Sequence, residues 1–230
     1  MFDNINTRSV TFNILMINLV LFVVALAIPT LNDILSLHYL FNKHGYTESI
    51  GFQPYQVITH MFMHGGFMHI LFNMYGLFMF GSILERVWGP QRFLLFYLIT
   101  GFGAVVLHMG VQMWLVHSAT GTFDPTIVQL NDAGQTAIVT YVSRTVGASG
   151  AIFGLLTAFA LLFPNTELML MFIPFPVKAK YFVPIYLAIE LYLGVAQYGG
   201  DNVAHFAHLG GALFAFILVK LWNRDRWNLY

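Results

Sequence analysis

The sequence contains no cysteine. This excludes disulfides, thiolate metal sites and a cysteine nucleophile, and it leaves the redox character of the compartment unread. Charge is almost as scarce: Asp, Glu, Lys and Arg make up 9% of the 230 residues, against about 25% in soluble domains. Ten basic and ten acidic side chains cancel to a formal net charge of zero, so no bulk attraction to nucleic acid is expected. The first eleven residues are polar, and the apolar run behind them has no small-x-small cleavage pattern. A retained span is expected there rather than a cleaved signal.

What fills the chain instead is apolar. Hydrophobic residues reach 58%, with 23 Phe, the composition of an integral membrane protein whose spans leave nothing over for a soluble domain. The expected fold is all-α: a single polytopic domain over residues 1–230, with six transmembrane helices and a short fourth one. The spans are placed at Phe12–Ile28, His69–Val87, Arg92–Leu115, Ser149–Phe163, Tyr181–Gln197 and Val203–Trp222, with Pro29, Gly89-Pro90 and Pro164 as stops. Eight of the ten Lys and Arg residues, from Arg8 to Arg226, fall on the side that holds both termini. Only Lys43 and Arg144 fall on the other. The asymmetry puts both termini in the cytoplasm.

The fourth apolar run is too short to cross a bilayer. From Ser149 to Phe163 it measures about 22 Å as a helix, against a hydrocarbon core of about 30 Å. With Pro164 at one membrane face, Ser149 lies roughly 8 Å beneath the other. Small residues recur every four positions on this helix (Gly150, Gly154, Ala158) and on the sixth (Ala207, Gly211, Ala215). Such stripes let helix backbones approach closely in lipid, and pairing them carries His208 toward Ser149.

A serine becomes a useful nucleophile when a base takes its proton, and a histidine in hydrogen-bond reach is such a base. The bland alternative is a small residue at a tight crossing beside a histidine bonded to a backbone carbonyl. Polar groups inside a membrane are expensive and mostly functional, which favours the chemical reading. His205 is a rival to His208, and spacing alone leaves that choice open. His69 and Asn73, at i and i+4, share a helix face. With the Ser149 backbone N–H they can form an oxyanion hole, or they can simply link neighbouring helices. His60 and His64 have metal-like spacing but no accompanying acid, so structural hydrogen bonding is expected of them. Glu190, inside the fifth span, is read as a hydrogen-bonded helix contact rather than a proton relay. Glu85-Arg86 and Arg92, which bracket the short turn between the second and third spans, are read as structural.

Taken together, these stretches resemble the rhomboid intramembrane serine proteases. The likeness covers Phe12 to Trp222 and rests on His69-Ile70-Leu71-Phe72-Asn73, Gly147-Ala148-Ser149-Gly150 and Ala207-His208-Leu209-Gly210-Gly211, in that order. The resemblance implies Ser149 as nucleophile and His208 as general base. It implies oxyanion contacts from His69, Asn73 and the Ser149 backbone, with Gly147 shaping that loop. Phe153 then packs against the base, and His205 and His64 stand as supporting residues. It further implies a membrane-dipping first loop (29–56), a cap over 198–202, a small residue before the cut, and placement in a bacterial inner membrane. The first loop lacks the Trp-Arg pair often found in the family. The matched motifs contain no acid, so the expected mechanism is a Ser–His dyad without a third member, needing no metal or cofactor. The implied partners are membrane-spanning protein substrates and the lipid bilayer; nothing in the pattern sets an oligomeric state. The runner-up is a non-catalytic relative that binds membrane proteins, and a histidine- and Glu190-based transporter comes third.

Overall fold

The structure, a computed structural model, describes residues 9–41, 51–123, 144–169, 175–196 and 203–222. The 198–202 cap lies outside them, as does most of the third loop. A 3-10 turn (His60–Phe62) and eight α-helices are described: α1 (Val10–Ala27), α2 (Thr30–Leu35), α3 (Gln56–Thr59), α4 (Phe67–Trp88), α5 (Pro90–Thr120), α6 (Ser149–Leu162), α7 (Ala179–Ala196) and α8 (His205–Trp222). Five of them (α1, α4, α5, α7 and α8) are long and apolar enough to cross a membrane, and α6 is the short apolar helix among them. The chain is an all-α polytopic membrane bundle.

The helix ends differ from the expected bounds for local reasons. α5 is 31 residues long and continues past Leu115 to Thr120, where Gly121 stops it. Its φ of +71° makes the left-handed C-terminal cap, with its N–H donating to the His117 carbonyl at 2.8 Å. At the other end, Gly89 (φ +79°) closes α4 and Pro90 opens α5, the usual Gly-out, Pro-in asymmetry. α4 begins at Phe67, two residues before His69, and carries a π-type turn at Leu77–Gly81. α8 starts at His205 rather than Val203, with the Ala207 and His208 amides both donating to the Ala204 carbonyl. A two-residue antiparallel pair, β1 (Glu167–Leu168) with β2 (Val177–Lys178), joins α6 to α7.

The N-terminus of α1 is held by a distant carboxylate. Glu85 accepts the Val10 N–H at 2.7 Å, the Thr11 N–H at 2.9 Å and the Ser9 hydroxyl at 2.7 Å. Ser9 in turn caps Phe12 at 3.3 Å. An anion at a helix N-terminus satisfies donors that have no intrahelical partner.

The core is built where α5, α6 and α8 meet. In lipid there is little hydrophobic gain from bringing helices together, so close packing must supply the attraction. A Cβ on Gly211 would overlap the Gly150 carbonyl oxygen, one on Gly150 the Ala104 side chain, and one on Gly154 would meet Thr100 at 2.7 Å. The two small-residue stripes therefore do pair, and a third strip on α5 completes the contact. Phe93, Phe96 and Tyr97 of α5 are fully buried with Leu77, Leu84 and Leu155. By contrast α1 and α7 are peripheral: only 22% of each apolar window is buried inside the bundle, and Val23, Leu26, Tyr192 and Val195 face outward.

The described part of the first loop is stitched by one side chain. Gln56 is fully buried; its carbonyl accepts the His38 and Gln53 amides, and its amide donates to the Ile34 carbonyl at 3.2 Å. Leu37 pairs with Thr145 through two 2.9 Å backbone bonds, and Arg144 forms an ion pair with Asp33. The loop is thus fastened to the segment that leads into Ser149.

Candidate active site

Ser149 is the first residue of α6 and is half-buried, at the point where Gly150 lies against α8. The same close approach brings the start of α8 beside it. His208 Nε2 lies 2.8 Å from Ser149 Oγ. His205 is one turn away on α8, and its Nδ1 bonds elsewhere. Of the two histidines that sequence left as rivals, His208 is the one that meets the serine. Phe153, one turn after Ser149, stacks on the His208 ring at a centroid distance of 4.2 Å and an interplanar angle of 8°, and Tyr186 of α7 backs Phe153 at 4.9 Å.

The approach to Ser149 is shaped by Gly147. Its φ of +124° is a backbone conformation L side chains rarely adopt. A Cβ there would also sit 2.7 Å from His69 Nε2, so glycine is required twice over. The Gly147 N–H donates to the His60 carbonyl at 2.9 Å, fixing the turn. His69 Nδ1 accepts the Gly65 N–H at 3.3 Å. In the neutral ring the proton then resides on Nε2, the nitrogen next to Gly147. Asn73 is buried, and its Nδ2 donates to the His69 carbonyl at 2.9 Å, within its own helix.

The remaining histidines divide. His60 Nδ1 donates to the Gln56 carbonyl at 2.8 Å, the structural bond expected of it. His64 departs from that expectation. Both of its ring nitrogens are buried without a hydrogen-bond partner among the described residues, and the ring packs edge-on to His69 at 5.1 Å. Burial lowers the pKa of His60 and of His64 to about 4, with His69 adding to the effect at His64. Both rings are therefore neutral at physiological pH. His108 of α5 contacts the Thr145 hydroxyl at 2.8 Å, a link not foreseen from the sequence.

Glu190 corrects the expectation that no acid stands near the base. Its Oε2 is 2.7 Å from His208 Nδ1 and 2.7 Å from His205 Nδ1, and all three side chains are buried. It is a hydrogen-bonded helix contact, as expected, but its partner is the very histidine that meets Ser149. A signal was present: a carboxylate in an apolar span demands a partner. No motif spacing pointed to which one. The same trio offers two imidazole nitrogens and a carboxylate oxygen within 4.8 Å of one another, so it is also the donor set a metal ion would use. The 2.7 Å spacings are those of charge-assisted N–H···O bonds.

A small pocket opens beside the serine, lined among others by Thr145, Gly147, Ser149, Gly150, Ala204 and Ala207.

Comparison with known proteins places these features in one group. The family model described as "Rhomboid domain" matches residues 51–224. RHOMBOID-like protein 12, mitochondrial, of Arabidopsis thaliana is 35% identical over 173 residues, covering 74% of this chain and 46% of that protein. Rhomboid protease AarA of Providencia stuartii is 27% identical over 192 residues, 78% of this chain and 59% of its own length. Putative rhomboid protease YdcA of Bacillus subtilis is 29% identical over 172 residues, 72% and 68% respectively. The chain spans about half the length, or less, of the first curated relatives it matches.

Proposed function

The chain belongs to the rhomboid family, and on that premise we propose that it is an intramembrane serine endopeptidase in which Ser149 and His208 cleave membrane-spanning segments of other proteins. The observation that carries this reading is the 2.8 Å contact between Ser149 Oγ and His208 Nε2 at the head of a helix too short to span.

The Ser149 Oγ–H donates to Nε2, and Nε2 takes that proton as Oγ bonds to the scissile carbonyl carbon. The carbonyl π pair moves onto oxygen. That oxyanion forms in front of His69 Nε2–H and the Ser149 backbone N–H at the helix N-terminus, with the Asn73 amide hydrogen that is not given to the His69 carbonyl as a third donor. Collapse breaks the C–N bond, and the His208 proton goes to the departing amine. The resulting acyl-enzyme is hydrolysed by water that His208 deprotonates in turn.

The substrate must reach Ser149 as extended backbone, because a helical segment has its carbonyls and amides already paired. Segments with glycine, proline or other weak helix formers near the membrane surface are therefore the substrate class. The narrow pocket beside Ser149, lined by glycines and alanines together with His60, Met61, Thr145 and Val146, favours a small side chain before the cut. The basic asymmetry of the loops orients the Ser149 end away from the cytoplasm. Relatives include both bacterial and mitochondrial proteins, so the proposal fixes the membrane by orientation rather than by organelle.

The test is cleavage of a model single-span protein in detergent or liposomes. The unsubstituted chain is expected to cut it and Ser149→Ala to be inactive. Full cleavage by Ser149→Ala would overturn the protease reading, and no cleavage by either would favour a membrane-protein-binding role instead.

A further inference from the structure

We propose that Glu190 is a positioning residue for the base: its carboxylate holds the His208 ring in the tautomer and orientation that Ser149 needs, so that the site works as a Ser–His–Glu triad with His205 as a second anchor on the acid. This inference rests on the protease reading above.

The hydrogen-bond pattern leaves little freedom. One carboxylate oxygen faces two imidazole Nδ1 atoms at the same 2.7 Å. An ionised carboxylate only accepts, so both Nδ1 atoms carry protons and donate to it. A neutral His208 protonated at Nδ1 has its lone pair on Nε2, the nitrogen 2.8 Å from Ser149 Oγ. The carboxylate thereby selects the one tautomer able to accept the serine proton. Rotation of the ring is opposed by the Phe153 face against it.

The charge matters after the proton has moved. His208 is 8% exposed, and an imidazolium that far from water is costly unless paired. When Nε2 takes the Ser149 proton, Nδ1 keeps its own, and Glu190 remains a carboxylate throughout. The acid stabilises the imidazolium without itself being protonated, as in the general triad scheme. His205 donates to the same oxygen from the neighbouring turn of α8. The acid on α7 is thus bound to α8 at two points, and its position is set by helix packing rather than by a flexible loop.

A purely structural role, a clamp between α7 and α8, makes a different prediction. Glu190→Gln keeps a carbonyl acceptor for both histidines but removes the charge. With Glu190→Gln we expect kcat to fall by about 10²–10⁴-fold, by analogy with loss of the acid in other triads, with KM within about twofold. The groups facing this carboxylate are His205 and His208 from α8 and Tyr186 on its own helix, and none of them is altered by the substitution.

The experiment is steady-state cleavage of the single-span substrate, with thermal unfolding in the same detergent as the fold control. Unchanged kcat in a folded Glu190→Gln, or a loss carried by KM instead, would overturn the inference. Should that variant fail to fold, Glu190→Asp carries the test: it retains the charge, and its kcat is expected within about tenfold of the parent. A folded Asp variant that loses about 10²-fold or more in kcat would overturn it equally. Loss of parent activity in EDTA, restored by zinc, would assign the trio to a metal and also overturn it. Ser149→Ala run alongside separates the two levels. If Ser149→Ala is inactive while Glu190→Gln matches the parent, only this inference fails; if Ser149→Ala still cleaves, the protease reading itself fails.

Discussion

Two carboxylates in this bundle make the same kind of short hydrogen bond to entirely different partners. Glu85 accepts from the backbone amides of Val10 and Thr11 and from the Ser9 hydroxyl. Glu190 accepts from the Nδ1 atoms of His205 and His208. Both join a helix to the start of another, and both meet donors at 2.7 Å. The amide and hydroxyl donors at Glu85 do not change protonation state near neutral pH, so that carboxylate can only hold the α1 terminus in place. An imidazole can change, and one of those at Glu190 touches Ser149. The role of a buried acid is read from whether its donors titrate and what those donors touch next.

The comparison is broken most sharply by neutralising each acid in turn. Glu190→Gln is expected to lose activity by orders of magnitude, as set out above. Glu85→Gln should leave kcat and KM within about twofold and instead lower stability by about 1 kcal/mol, the usual worth of a helix N-terminal contact. Paired activity and thermal unfolding measurements on both variants check this. A large fall in kcat for a fully folded Glu85→Gln would show that the two carboxylates do not divide in this way.

Gly147→Ala sharpens the site side of the comparison without touching either acid. The added Cβ meets His69 Nε2 at a φ that alanine disfavours. A loss of about 10²-fold in kcat is expected, the cost of one displaced oxyanion donor. A Gly147→Ala variant with parental kcat would remove His69 from the oxyanion site.

A further contrast is with imidazoles that are buried without an acid. Burial lowers His60 and His64 to about 4 in the fold, below the ordinary 6.5 of the unfolded chain. Between those values the unfolded state binds protons that the folded state refuses. Stability present above about pH 6.5 is therefore lost as pH falls toward 4. Thermal midpoints in detergent should drop from pH 7 to pH 5, and His64→Gln should flatten that slope. A midpoint independent of pH over this range would contradict the burial of these rings.

Much of this arrangement is legible in the sequence because lipid makes packing depend on small residues. Gly150, Gly154 and Ala158 against Ala207, Gly211 and Ala215 suffice to bring the heads of α6 and α8 together, and with them Ser149 and His208. The break at Pro164 and the Gly89-Pro90 turn are equally readable. The partner of Glu190 is not. It stands 18 residues before His208 on a different and peripheral helix. A lone acid in an apolar helix announces that it needs a partner, but helical periodicity stops at the helix end. The π-type turn at Leu77–Gly81 and the β1–β2 pair carry no pattern of their own. Among the described residues the His64 ring nitrogens meet no hydrogen-bond partner, and nothing in its sequence neighbourhood signals that.

The central claim, that Ser149 is a nucleophile activated by His208, is tested most directly by covalent capture. The folded protein is treated with a fluorophosphonate, digested and mapped by mass spectrometry. A single adduct on Ser149 is predicted, its rate of formation falling by at least about 10²-fold in His208→Ala and far less in His205→Ala. An adduct on another residue, or labelling of Ser149 at the parental rate in His208→Ala, would contradict it.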